Sequence, residues 1–429
     1  MAPTTPLDLT SFLGDPDRTD ASLSDLARGV IGSEILKIAA QIRTLRASGV
    51  PICNLTVGDF DPAQFPIPAS LLEGVCQALA DGHTNYPPSD GVPVLREAVV
   101  RYYERELGLK YPLDSVLIQG GARPLLYGSY RTILDPGDVA LYPVPSWNNN
   151  HYSYLAGAKG VPIPVGAESN FFPTPEQIRP HLGAARLLLL NSPLNPTGTV
   201  IPPATLEAIA RMVVEENRRR QEGNRKALWL VYDQVYWQLT FGAVRHTTPV
   251  GLVPEVAPYT VMLDAASKSF AATGLRVGWA VMPPGIRRRM ADILGHVGAW
   301  APKAEQVAVA GLLDDPGAIR AHNAHLIAGV RERLHLLSDG FAEMKRDGYP
   351  VDTLAPQGAI YLAVRIALPG KTNAETRKLV LDGAGFAIVP FQAFGLKEDS
   401  GWFRLSVGAA SVQEIREALP RLRKVLPRG

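Results

Sequence analysis

A chain of 429 residues, 46% hydrophobic and 20% charged, exceeds what one compact core usually holds and is too apolar for a disordered or fibrous protein. Its formal charge of +2 argues against a protein built to coat nucleic acid or an acidic membrane surface. The two cysteines, Cys53 and Cys76, fit a reducing compartment, and no apolar run approaches the roughly 20 residues of a membrane span. A cytoplasmic protein with no nucleic-acid or membrane partner is therefore expected.

The first 20 residues are polar and proline-rich and lack the basic start and apolar middle of a signal peptide; they read as a lightly anchored arm. From Ser33 the pattern turns helical. Ile35, Leu36, Ile38, Ala39, Ile42 and Leu45 fall on one stripe, with Ser33 as N-cap and Gly49 and Pro51 closing the helix.

Short apolar runs then alternate with amphipathic stretches. SVLIQG (115–120), DVALYPVP (138–145), ARLLLLNSP (185–193), KALWLVYD (226–233), TVMLDAAS (260–267) and RVGWAVMP (276–283) predict buried strands. Such alternation predicts an α/β fold with a mostly parallel sheet covered by helices. Polar and reactive residues cluster just after these strands, where open α/β sheets bind ligands. Two basic runs, Arg218–Arg220 and Arg287–Arg289, lie in helical patterns and read as solvated faces.

A long helical stretch (316–347) is followed by strand-like AIYLAVRI, helix-like NAETRKLVLDGAG, strand-like FAIVPF and GWFRLSV, and a last helix (411–426). This different rhythm predicts a smaller α+β domain. The expected division is an arm and helix (1–60) joining that small domain, a large α/β domain (61–315), and the small domain itself (316–429). Familiar motifs fail. GKT at Gly370–Thr372 lacks the first P-loop glycine, position 365 being Arg; HExxH and GxSxG are absent, and the eight histidines show no metal spacing.

Four stretches bring chemistry to strand ends: NSPLNPTGTV (191–200), YDQVYW (232–237), SKSFAATGLRVG (267–278) and WFRLSVG (402–408). Together they offer a lysine, an aspartate, a tyrosine, an asparagine and two arginines, the set that a phosphorylated pyridine aldehyde needs. With NLTVGDFDP (54–62), NYPPSDGVPVLREAV (85–99) and PQGAIYL (356–362), they appear in an order that resembles the class I and II aminotransferases. These are pyridoxal-phosphate enzymes of fold type I, with a large α/β domain and a small α+β domain.

The resemblance implies a function: transfer of an amino group between an amino acid and a 2-oxo acid, by a ping-pong mechanism, in a homodimer with shared active sites. A lyase on the same scaffold, β-eliminating or cyclopropane-forming, would use the same residues and is the alternative. Lys268 is implied as the Schiff-base residue, its proton affinity lowered by Arg276 and small apolar surroundings. Asp233 pairs with the ring nitrogen, and Tyr236 and Asn195 bond the ring's phenolic oxygen. Trp147 stacks on the ring. The phosphate falls to Ala122, Arg123, Ser267 and Arg276, with Tyr86 reaching across from the neighbouring subunit. Arg404 takes the substrate's α-carboxylate beside Gly58.

Each residue also has a plainer structural reading: Asp233 as a helix cap, Tyr236 and Trp147 as core aromatics, Asn195 as a turn residue. Departures from the family pattern are Arg123 and Pro124 in the phosphate loop, Ala265 where many relatives have a second phosphate-binding Ser, and Gln234 after the aspartate. Arg123 either adds a charge at the phosphate or turns toward substrate. The stretch GHVGAWAPKAEQ (295–306) shows Trp300 and Lys303 but no Arg for a distal carboxylate, which leaves acidic, aromatic and broad specificity open.

Overall fold

A computed structural model of the protein describes residues 6–14, 16–147 and 149–428. At its centre lies a seven-stranded sheet in the order Val116–Gln119, Gly278–Val281, Thr260–Ala265, Trp229–Asp233, Ala185–Asn191, Val139–Val144, Lys159–Pro164. The last five are mutually parallel, while Gly278–Val281 is antiparallel to both of its neighbours. The reversal has a local cause. The chain after Ala265 makes no helical crossover, which a parallel return needs. It turns back through a short loop closed by the Ala266 N–H bonding to Val277 O at 3.1 Å.

Both faces of the sheet are covered, so the strands are apolar on both sides. Leu188, Leu190, Leu230 and Met262 pack on one side with Leu206 and Ile209 of the helix Pro203–Glu222. Leu187, Leu189, Val231 and Leu263 pack on the other with Leu125 and Leu294, from the helices Ala122–Ile133 and Pro284–Val297. Alternation of side chains along a strand thus serves two cores at once.

A second sheet, of order Val389–Pro390, Trp402–Ser406, Tyr361–Ile366, Val351–Thr353, is antiparallel throughout. It packs with the long helix Pro316–Arg346 and the helix Val412–Val425, whose Ser411 and Glu414 form a capping box. Thr372 of the GKT run makes the same box with Glu375 at the start of Asn373–Ala384, so the run is a helix cap.

The N-terminal helix Glu34–Ala47 is fastened to these C-terminal elements. Arg377 Nη2 donates to Gln41 Oε1 at 2.8 Å, Arg46 pairs with Glu414, and Cys53–Asn54 runs parallel to Phe386–Ala387. Ser33 stands at the N-cap without a side-chain bond, and Leu36, expected on the buried stripe, is 65% exposed. The preceding arm carries two short helices, Pro16–Ala21 and Asp25–Gly29. Among the described residues no helix is long and apolar enough to cross a membrane.

The basic runs are not wholly solvated, contrary to expectation. Arg220 is buried, its Nε bonding to Glu216 at 2.8 Å and its Nη2 to the carbonyls of Leu182 and Ala185 at 2.6 Å each. Arg287 is buried on Asp90, 3.1 Å away. In each run the other two arginines are exposed. One residue in each run turns inward and supplies donors to carbonyls and carboxylates of neighbouring elements.

Candidate active site

Asn191 and Asp233 end adjacent parallel strands in register, and Ala265 ends the next. Beyond these ends lies a cavity of about 350 Å³, within the range of small-molecule sites. Every residue expected at the site lines it except Tyr86.

Lys268 sits on the single helical turn Ala266–Ser269 and donates from Nζ to Gly58 O at 2.5 Å. Protein encloses the amine on all sides but the cavity. This burial is the main cause that lowers its pKa to about 8; Arg404, Arg276 and Arg123 push the same way, and Asp59 opposes them. Both expected causes, enclosure and Arg276, thus act in the expected direction, enclosure the more strongly.

Asp233 lies on the cavity floor. Burial raises its carboxyl to about 6, against the pull of the Val235 N–H at 3.2 Å. Among the described residues no cation pairs with it, although a buried carboxylate without one is unfavourable.

At the opposite end, backbone segments approach closely because glycines allow it. A Cβ on Gly278 would stand 2.4 Å from the Gly121 carbonyl carbon and 2.6 Å from Ala122 N. Gly121, at φ 93°, opens the helix Ala122–Ile133. The Arg276 guanidinium bonds to Gly120 O at 3.0 Å and Thr273 O at 2.7 Å, and a Cβ on Gly121 would come within 2.5 Å of its Nη2. Free N–H groups of a helix start, a guanidinium and the nearby Ser267 make a ready anion cradle.

Between the two ends, Tyr236 and Tyr361 meet with hydroxyl oxygens 2.5 Å apart. Arg404, only 1% exposed, lies between the rings of Tyr361 and Phe394 at 4.8 and 4.9 Å. Its Nη1 donates to Asn195 Oδ1 at 3.1 Å and its Nη2 to Thr56 O, while Nε has no partner. Arg123 lies over the Trp147 ring at 5.5 Å, at the exposed mouth. Tyr86 stands outside, 83% exposed, its ring 5.4 Å from that of Trp300.

Sequence reasoning missed Tyr361, Asp59 and the apolar wall of Ile35, Leu36 and Ala39, all of which line the cavity. Gly58 has a second reason to be glycine: a Cβ there would stand 2.6 Å from Tyr361 Oη. The position of Tyr361 at a strand start within PQGAIYL was the available signal.

The features found here, an enclosed amine of lowered pKa, an uncompensated carboxylate, an anion cradle and a stacked aromatic, fit a phosphorylated pyridine aldehyde. Fold and cavity together define a pyridoxal-phosphate enzyme of the mixed α/β class. A model of the family "Aminotransferase class I and II" matches residues 50–422, and the chain belongs to that family. It is 32% identical over 414 residues to an aspartate/prephenate aminotransferase of Thermus thermophilus, covering 95% of this chain and 99% of that one. It is 31% identical to a probable aspartate/prephenate aminotransferase of Thermus aquaticus, with 94% and 99% covered. The structure of Thermus thermophilus aspartate aminotransferase with maleate superposes with a TM-score of 0.85 at 30% identity, covering 94% of this chain and all of that one. An aromatic aminotransferase of Pyrococcus horikoshii matches with a TM-score of 0.79 at 27% identity, with 90% and 98% covered. The protein is a pyridoxal-phosphate-dependent aminotransferase that acts on amino acids and 2-oxo acids; the lyase alternative is not favoured.

Proposed function

We propose that the enzyme takes amino groups from a dicarboxylic amino acid and passes them to a 2-oxo acid, with Lys268 as its catalytic residue. One observation carries the reading: an enclosed amine, lowered to about 8, shares a cavity with an unpaired buried carboxylate and three guanidiniums. When bound, pyridoxal phosphate supplies an aldehyde to receive the amino group and a ring to hold the electron pair left as the substrate's Cα loses its proton. Lys268 anchors the cofactor and then, as a free amine, moves the Cα proton. With a pKa of about 8, roughly a tenth of it is neutral at pH 7, against well under a thousandth of an ordinary lysine.

Asp233 would hold the protonated ring nitrogen, which gives its carboxylate the cation it lacks. Tyr236 and Asn195 would face the ring oxygen, and Trp147 would cover a ring face. Ala122, Ser267 and Arg276 would hold the phosphate. Arg404 suits the α-carboxylate, for its guanidinium is fixed by two rings and two acceptors.

Arg123 decides the side chain. Arg123, Arg276 and Arg404 face a cavity whose own carboxylates are Asp59 and Asp233. With Arg276 on the phosphate and Arg404 on the α-carboxylate, Arg123 is left for a second carboxylate. This agrees with the aspartate and prephenate named for the relatives. The wall of Ile35, Leu36 and Ala39 gives a larger substrate apolar contact.

Tyr86 lines a surface hollow together with Leu79 and Trp300, and both Tyr86 and Leu79 are exposed. We assign that surface to a homodimer contact, through which Tyr86 reaches the neighbouring subunit's phosphate. The division at residues 60 and 315 into large and small domains, and a cytoplasmic location, complete the reading.

The test is an absorbance titration of the purified protein with pyridoxal phosphate, followed by single amino acids without a 2-oxo acid. Stoichiometric conversion to the pyridoxamine spectrum by aspartate or glutamate, lost for these donors alone in Arg123→Ala, is the expected result. Preference for an apolar donor overturns the assignment of Arg123. Catalytic release of ammonia and pyruvate overturns transfer itself.

A further inference from the structure

Four residues before Lys268 a second carboxyl group is sealed inside the protein. Asp264 is 0% exposed and does not line the cavity, whereas its neighbour Ala265 does; alternation along the strand turns the two side chains to opposite faces. Trp237 Nε1 donates to Asp264 Oδ2 at 2.8 Å and the Ala265 N–H to Oδ1 at 2.7 Å, with the Tyr103 hydroxyl a further partner. Gln234 continues the network. Its Nε2 donates to Tyr103 Oη at 3.2 Å, and its Oε1 lies 3.1 Å from His246 Nε2. The Trp237 ring is held between those of Tyr102 and His246, at 5.8 and 6.0 Å.

The reaction has no evident use for this acid, and a buried carboxyl group is unfavourable unless its bonds are worth keeping. What it joins is informative. Trp237 follows Tyr236 directly, in the turn after Asp233, while Asp264 is the second-last residue of the strand that leads into the turn carrying Ser267 and Lys268. The backbone bond from Gln234 N to Leu263 O, 3.0 Å, joins the same two strands just below. Past that point the Trp237–Asp264 bond ties the two turns together.

We propose that Asp264 is a positioning residue for the transfer reaction: through Trp237 it fastens the turn bearing Asp233 and Tyr236 to the turn bearing Lys268, and so sets the amine against the carboxylate. This rests on the roles given above to Lys268 and Asp233. Burial holds the Asp264 carboxyl well above the usual carboxylate range, repulsion from Asp233 adds to it, and the bonds from Ala265, Trp237 and Tyr103 oppose it. An amide keeps one acceptor oxygen, which can still face the indole N–H, whereas an alanine leaves that N–H buried and unpaired.

The experiment compares Asp264→Ala, Asp264→Asn, Trp237→Phe and the Asp264→Ala/Trp237→Phe double variant with the wild type. The readouts are kcat and KM of the holoenzyme, and the pH dependence of Lys268 acylation in the apoprotein, followed by peptide mass spectrometry. Asp264→Ala and Trp237→Phe are each expected to lower kcat about tenfold with KM little changed, as small misplacements of reacting groups do. Each should also move the Lys268 acylation midpoint by about half a pH unit or more. The double variant should be no worse than the worse single, because both remove one link. Asp264→Asn should stay within about threefold of wild type. If Asp264→Ala does not fold, Trp237→Phe and Asp264→Asn carry the same comparison. Unchanged kcat and acylation midpoints, with lowered thermal stability alone, overturn the proposal; so do effects that multiply in the double variant. Borohydride capture of pyridoxal phosphate on a residue other than Lys268 in the wild type overturns the parent reading instead.

Discussion

The hydroxyl oxygens of Tyr236 and Tyr361 lie 2.5 Å apart, and this contact joins the turn after the central strand Trp229–Asp233 to the first residue of a strand in the antiparallel sheet. Burial raises both phenols above their ordinary range, so both keep their protons across the working pH range. One hydroxyl donates to the other, which leaves one phenolic proton free to bond a ligand in the cavity that both residues line. Tyr236→Phe is expected to raise the pH midpoint of the bound cofactor's visible band by about one unit, as a donor to the ring oxygen is lost. Tyr361→Phe should shift it less. A pH titration of absorbance distinguishes the two.

Asp233 should be a source of instability in the apoprotein. Its folded pKa of about 6 exceeds the ordinary 3.8, so the folded state holds its proton more tightly. Stability from this group is therefore fully present below about pH 4 and is lost as pH rises through 6. Asp233→Asn should stabilise the apoprotein by about 1–3 kcal/mol at pH 7.5 and by little at pH 4, while nearly abolishing transfer. Urea unfolding of the apoprotein at the two pH values measures the difference.

Lys268 has the opposite displacement and the opposite consequence at low pH. Its folded pKa of about 8 lies below the ordinary 10.5, so enclosure of the ammonium opposes folding below 8 and that penalty fades as pH rises toward 10.5. Lys268→Met should raise apoprotein stability at pH 7 and abolish covalent capture of pyridoxal phosphate on borohydride reduction. Mass spectrometry of the reduced protein checks the second outcome directly.

Gly278→Ala should act on the anion cradle. The added methyl meets backbone atoms of Gly121 and Ala122 at 2.4 and 2.6 Å, and backbone cannot swing aside as a side chain can. A loss of about 1–3 kcal/mol in stability is expected, with weaker retention of pyridoxal phosphate in dialysis. Gly121→Ala meets a guanidinium instead, and its left-handed backbone adds strain.

Arg404→Lys should not be conservative. A lysine cannot bond Asn195 and Thr56 while presenting a planar fork to a carboxylate, nor fill the space between Tyr361 and Phe394. KM for every amino donor should rise about a hundredfold, equivalent to roughly 2.7 kcal/mol. Steady-state kinetics with donors of different side chain would show a uniform effect.

The residues legible in the sequence were those whose position follows from a strand end. Lys268 and Asp233 stand directly after apolar runs that could only be buried strands, and the structure brings them to one cavity. Tyr361 was not legible because its partner lies 125 residues away, and no local pattern states that two tyrosines will meet. Asp264 was hidden for a similar reason: within TVMLDAAS it reads as a strand end, and only its far-side contact with Trp237 shows its surroundings. Arg220 and Arg287 were misread because a run of three arginines covers most of a helical turn, and periodicity alone does not say which one points inward. The reversed strand Gly278–Val281 was unreadable as such, since a fully buried strand has the same apolar signature in either direction.

That reversed strand sets a limit on how this protein can vary. Because the chain from Ala266 returns at once into Val277, the amine of Lys268 and the guanidinium of Arg276 hang from one taut loop, closed at its base and strained at Ala271 and Arg276, both at positive φ. Inserting one residue would displace one group against the other by up to about 3.5 Å, more than a hydrogen bond tolerates. The stretch is thus a ruler: many side chains within it could be exchanged, but its length could not.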